Sequence, residues 1–284
     1  VLGLQLAYHG LAHGAVLALA GLGFSIIFYT ARELHFAYGA IIAATAYVVY
    51  TGSAILGLPI ALAVLIGIVF AAVLGGLIRL TFYSKLDHDG VLLFSFGLTI
   101  VLQNVLQALF GPSDKVVDEP VLTSNIDIPQ IGFSLQVADV VTIGIAIVIS
   151  IAFGLVFKRT RFGLAMNAVM KDPEMAELVG VRAPWIKVAA YAIGSGLAAI
   201  AAGSTVIVSG VDPHIGFNLL LYAFMIALLS RGRLNIIIWL GLGFGVLINL
   251  TAWVLPARYG SLLVFAVIFI FLLVAARRNP ILAT

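Results

Sequence analysis

The 284-residue sequence has no cysteine, which removes disulfides, thiolate metal sites and cysteine nucleophiles from its chemistry. It is also poor in charge. Asp, Glu, Lys and Arg supply 10% of the residues, against about 25% in soluble domains. None of the twelve acids lies inside an apolar stretch; all map to gaps between stretches or to their margins. That counts against proton-driven carriage, which commonly relays protons through buried carboxylates. A membrane hydrolase is equally weakened, because Ser, His and Asp never gather on one helical face. No lysine follows a glycine, so no Walker A loop is present to hold nucleotide phosphates.

What is abundant is apolar: 63% of residues are hydrophobic and the mean hydropathy is +1.19. These values define an integral membrane protein. The pI of 9.2 comes from a few basic loop residues that suit the cytoplasmic leaflet, so no nucleic-acid partner is expected. Nine segments approach the ~20 residues a helix needs to cross a hydrocarbon core of about 30 Å. They are Leu2–Tyr29, Leu34–Tyr50, Gly57–Ile78, Val91–Phe110, Val140–Phe157, Val188–Val208, Phe217–Ser230, Leu234–Leu255 and Gly260–Ala276. Their continuous apolarity favours helices over barrel strands, which would alternate. The first has no basic flank and is too long for a signal-peptide core, so it reads as a retained span. Phe217–Ser230 is short and the second and ninth segments are marginal, and a half-helix or re-entrant piece among them sets a range of eight to ten spans for a single all-α transmembrane bundle over 1–284.

Orientation follows from the bases. Thirteen of the fifteen fall in alternate gaps, and only Lys115 and Arg258 lie in the others. With six acids beside them, the basic gaps carry +7; the other side carries −4. Basic loops stay inside, so the N-terminus is expected outside and the C-terminus in the cytoplasm. The 111–139 gap then becomes an extracytoplasmic acidic loop interrupted by Pro112, Pro120 and Pro129, and it is either a landing site for a soluble protein or a solvated cap. The 158–187 gap becomes a cytoplasmic loop with two helix signals. Phe162–Met170 mixes apolar and basic residues, and Asp172-Pro173-Glu174 reads as N-cap, first-turn proline and first-turn acid. Gly180 supplies the stop. Such a pair either docks a soluble partner or lies on anionic headgroups.

Polar residues within the membrane default to site hypotheses. His35, Phe36, Tyr38 and Gly39 form one group, with His35 and Tyr38 on one helical face. Gln103 and Gln107, four apart with Asn104 beside them, form another. Each either lines a passage or makes interhelical hydrogen bonds. His9 and His13 are also four apart, but no third ligand is near in sequence, and no metal site is expected. Small residues at Gly194, Ala198 and Ala202, and the Gly241–Gly245 pair, mark helix contacts.

Four stretches resemble the H-type permease subunits of bacterial high-affinity branched-chain amino acid ABC importers. Ile27-Phe28-Tyr29 with Leu34-His35-Phe36-Ala37-Tyr38-Gly39 is similar to the family's tyrosine turn and N-F-A-H-G motif, and Phe96–Asn104 to its glycine-to-Gln-Asn helix. Arg161–Met166, Asp172–Ala176 and Leu178–Val181 match its coupling segment, and Gly196–Gly203 the helix after it. Tyr38 stands at the family's histidine position. Leu228–Arg233 replaces its Gly-Gly-Ile-Gly-Ser turn.

The resemblance implies a multi-pass permease of the bacterial inner membrane that moves a small polar solute, such as an amino acid, amide or urea-like compound, by alternating access. It further implies two cytoplasmic ATP-binding subunits holding the ATP and Mg, an M-type permease or second copy, and a periplasmic solute-binding protein. No cofactor is expected on this chain. Arg161, Gly163, Met166, Ala168, Asp172, Pro173, Glu174, Ala176 and Gly180 would couple to the ATPase, and the two polar groups would line the passage. A passive channel needing no ATPase is the competing class.

Overall fold

A computed structural model describes residues 2–117, 119–128 and 133–254, together with Ala266. The expected ninth span, apart from Ala266, and the C-terminus lie outside the described residues. The first elements are α1 (Leu2–Ala31), α2 (Ala37–Tyr50), α3 (Ile60–Thr81) and α4 (His88–Phe110). A short turn α5 (Pro120–Thr123) precedes strands β1 (Asn125–Ile128) and β2 (Phe133–Gln136), and then α6 (Val137–Arg159). Next come α7 (Arg161–Lys171), α8 (Pro173–Leu178), α9 (Ala183–Ser209), α10 (Ile215–Ser230) and α11 (Leu234–Val254).

Among the described residues six helices are long and apolar enough to cross a membrane: α1, α2 with the π-helical turn Thr51–Ile55, α3, α4, α6 and α9; α10 is a shorter apolar helix, and α11 is apolar over Asn235–Thr251. The Phe217–Ser230 segment is the 16-residue α10; at ~1.5 Å per residue it falls short of a ~30 Å core. The second segment starts three residues later than its apolar run, because Leu34–Phe36 belongs to a turn. The architecture is all-α except for a feature composition did not foretell, an antiparallel β1–β2 hairpin pairing Asn125 with Gln136 and Ile128 with Phe133.

The helix α1 is the axis of the bundle, packing against α6, α9, α10 and α11. Its most apolar window is 83% buried, against 17% for α6. The peripheral helices α3 and α6 present Leu65, Val69, Val73, Ile147, Val148 and Ile151 outward, a surface suited to hydrocarbon. Close seating of α11 on α1 depends on Gly10 and Gly14 of α1 and on two glycines of α11. A Cβ on Gly245 would run into the backbone of Gly14, and one on Gly241 into Ala18, whereas Gly243 faces open space. Small residues permit such approach where lipid supplies no hydrophobic drive. In the turn after α10, Ser230 donates to the Ala227 carbonyl at 2.8 Å, and Arg231 takes a left-handed conformation, φ 51°.

Candidate functional site

The α7–α8 pair is built by local capping. The Thr160 hydroxyl accepts from the Gly163 N–H at 3.0 Å. Gly163 sits so close to the Val156 and Phe157 backbone that a Cβ would collide. The Asp172 carboxylate accepts from the Glu174 and Met175 N–H groups at 3.0 and 3.1 Å, with Pro173 in the first turn. Gly180 ends α8 at φ +88°, a conformation only glycine adopts freely. Met166, Val169 and Ala176 are buried, with Ala168 packed beside them. Leu164, Met175, Leu178, Val179 and Trp185 are exposed, and Arg161, Glu174, Glu177 and Arg182 are exposed around them. An apolar patch with a charged rim is the composition of an interaction surface.

Beside this pair, the connection Arg32–Phe36 touches residues of α3, α4, α7 and α9 and the turn after α3. Arg32, at φ 58°, donates from Nη2 to the Lys171 carbonyl at the end of α7, 2.8 Å away. Glu33 accepts from the Tyr191 hydroxyl of α9 at 3.0 Å and faces Arg79 of α3 at 3.6 Å. The Arg79 guanidinium lies 6.0 Å from the centre of the Tyr191 ring. His35 Nδ1 is 2.9 Å from the Tyr83 hydroxyl, and its ring packs on Tyr191. Burial pushes the His35 imidazole down to about 3, because charging it would cost solvation. The Phe36 N–H donates to Ser95 Oγ of α4 at 3.1 Å, and the Phe36 ring stands edge-on to Phe96.

Tyr38 is fully buried and donates to the Ala20 carbonyl at 2.8 Å, while Gly39 crosses Gly216 of α10 at backbone contact. The Gln103, Asn104 and Gln107 group lies elsewhere, on the outer face of α4. Gln103 is half-buried; Asn104 and Gln107 are exposed, and Asn104 donates to the Ile100 carbonyl at 2.8 Å. The fold therefore separates the two polar groups. The α1–α2 group sits in the subunit's interior and the α4 group points away from it. Glu33 and Arg79 were missed by sequence reasoning, which assigned them to a solvated gap; the available signal was that Glu33 adjoins the Leu34–Gly39 motif.

At the other end of α1, His9 meets a carboxylate distant in sequence, its Nδ1 lying 2.7 Å from Asp139 Oδ2. Among the described residues no group of three or more His, Cys, Asp or Glu could hold a metal ion. His9, His13 and Asp139 instead line a cavity of about 450 Å³ between α1, α6, α9, α10 and α11.

The profile of a family described as branched-chain amino acid transport system / permease component matches residues 6–272. The high-affinity branched-chain amino acid transport system permease protein LivH of Salmonella typhimurium is 24% identical over 95% of this chain and 93% of its own length. The corresponding BraD of Pseudomonas aeruginosa is 27% identical over the same shares. A probable LivH of Methanocaldococcus jannaschii is 21% identical over 77% of this chain and 71% of its own. Among solved structures, PsaBC from Streptococcus pneumoniae in complex with Fab is similar at a TM-score of 0.55 and 17% identity, over 95% of this chain and 91% of that one; this likeness concerns the fold.

Proposed function

The chain belongs to the branched-chain amino acid transport system / permease component family, and from that premise we propose that it forms half of an ATP-driven import pathway for a small amino-acid-like solute. It is a multi-pass membrane permease subunit and not an enzyme. In this reading two cytoplasmic ATP-binding subunits, which hold ATP and Mg, press on α7–α8, and a solute-binding protein delivers cargo at the hairpin end. A second permease, of M type or a copy, completes the passage.

The observation that carries the reading is the exposed apolar patch of α7–α8, placed where its motion reaches the membrane helices. Displacement of α7 pulls Arg32 through the Lys171 carbonyl. Tilting of α9 moves Tyr191 and with it the Glu33 carboxylate. Both pull on the short connection whose Phe36 N–H is bonded to Ser95 of α4. Helix α4 in turn bears exposed Asn104 and Gln107. Amide side chains facing hydrocarbon are costly, so this face suits a wet passage or the second permease. ATP-driven closure then shifts the population between outward-open and inward-open arrangements.

The experiment is a pair of substitutions, Leu164→Asp and Leu178→Asp, in the assembled transporter. Both side chains are exposed, so insertion and yield should be unchanged. ATP-binding subunits should no longer copurify, and uptake should fall by at least about tenfold, equivalent to about 1.4 kcal/mol of lost docking. Undiminished uptake by the double variant would overturn the coupling role and leave passive conduction as the better reading.

A further inference from the structure

We propose that the cavity at the α1 N-terminal end is a binding site for a small solute bearing N–H donors, an ammonium or amide group. It is separate from the α4 face, since no α4 residue is among its described lining. Its volume of about 450 Å³ lies within the span of about 300–1,000 Å³ usual for ligand sites.

The ligand class follows from the carboxylates and other acceptors on its walls, which stand beside the donors of His13, Thr142 and Asn218. Ser204 Oγ donates to the Ile200 carbonyl at 3.2 Å, and Thr205 Oγ1 to the Ala201 carbonyl at 2.9 Å. A hydroxyl has one proton, so both are left with acceptor lone pairs. Asn249 Nδ2 donates one of its two N–H groups to the Gly245 carbonyl at 3.1 Å, and its carboxamide oxygen remains an acceptor. Two carboxylates join them. Asp139 is buried and paired with His9. Asp212 Oδ1 accepts from the His214 N–H at 2.7 Å, which uses one of about four lone-pair positions a carboxylate offers. No Lys or Arg is among the described lining. Lys115, whose backbone bridges to Val211, turns its ammonium to Ser113 at 3.2 Å.

An acceptor-rich, negatively charged recess attracts and holds a donor-rich solute. Two carboxylates and no described Lys or Arg in the lining disfavour an anion there. This chain thus carries a holding site within its own bundle, apart from the α4 face. The inference rests on the import reading only for the direction in which solute moves on, and binding is measured without transport.

The absence of native cysteine gives a direct test. Thr205→Cys and, separately, Asn218→Cys are placed in the full-length chain and reacted with methanethiosulfonate reagents at about pH 7.5, above the ordinary imidazole value of about 6.5. After correction for each reagent's rate with a free thiol, the ethylammonium reagent should react at least about tenfold faster than the ethylsulfonate, as local electrostatic focusing gives. Millimolar leucinamide should slow labelling; 4-methylpentanoate, which has no N–H, should not. Asp212→Asn should shrink the charge preference. Equal corrected rates would overturn the proposal. So would a charge preference without protection by leucinamide, which would describe a negative vestibule only. Monodisperse elution of each variant verifies folding, and the exposed Asn218 position carries the test if the Thr205 variant fails it.

Discussion

His35 is enclosed by the rings of Tyr38, Tyr83 and Tyr191 and is fully buried, so the folded chain holds it neutral. Its folded value, about 3, lies below the unfolded value of about 6.5. Its contribution to stability is therefore complete above the unfolded value and is lost as pH falls from there toward 3. At pH 5 the loss should be about 2 kcal/mol from this one group. Thermal unfolding of the detergent-solubilised chain at pH 7.5 and at pH 5 measures it: the native chain should lose more stability than His35→Gln, and identical pH slopes in the two would refute the burial argument. The polar character of His35 and Tyr38 inside an apolar stretch was legible in sequence. Their destination was not, because Tyr83, Tyr191 and Ala20 reach them only through the packing of α1, α3 and α9. Glu33 and Arg79 were less legible still, since a charge at the margin of a span reads as solvated until a partner 158 positions away supplies a hydroxyl.

At the scale of elements, capping chemistry carried most of the information. Asp172, Pro173 and Gly180 announced the start and end of α8, and Thr160 caps α7 one residue before its first turn. The hairpin β1–β2 was hidden because four-residue strands are too short for alternation to register amid prolines and acids. The Gly241–Gly245 stretch signalled a helix contact, and the structure distinguishes its three glycines. Gly245→Val should destabilise the bundle by about 1–3 kcal/mol through overpacking against α1. Gly243→Val, facing open space, should stay within about 0.5 kcal/mol, as surface substitutions do. Denaturant or thermal unfolding of the two variants side by side checks this, and equal losses would mean that α11 is not seated on α1 through Gly241 and Gly245.

At the scale of the whole molecule, one central helix joins the two ends for which function is proposed. The helix α1 begins at the polar cavity and ends at the Arg32–Phe36 connection, beside which α7–α8 present their apolar patch. Charge asymmetry between alternate gaps is the ground for the proposed direction of threading, while the division into a buried axis and lipid-facing periphery needed the packing itself. The account stands or falls on whether the α7–α8 surface faces the cytoplasmic ATPases. Leu178 is 81% exposed and the chain has no native cysteine, so Leu178→Cys offers a single target for a membrane-impermeant maleimide. It should be labelled in inside-out vesicles, shielded there when the ATP-binding subunits are assembled, and untouched in intact cells; labelling from outside intact cells would contradict the orientation and the coupling mechanism with it.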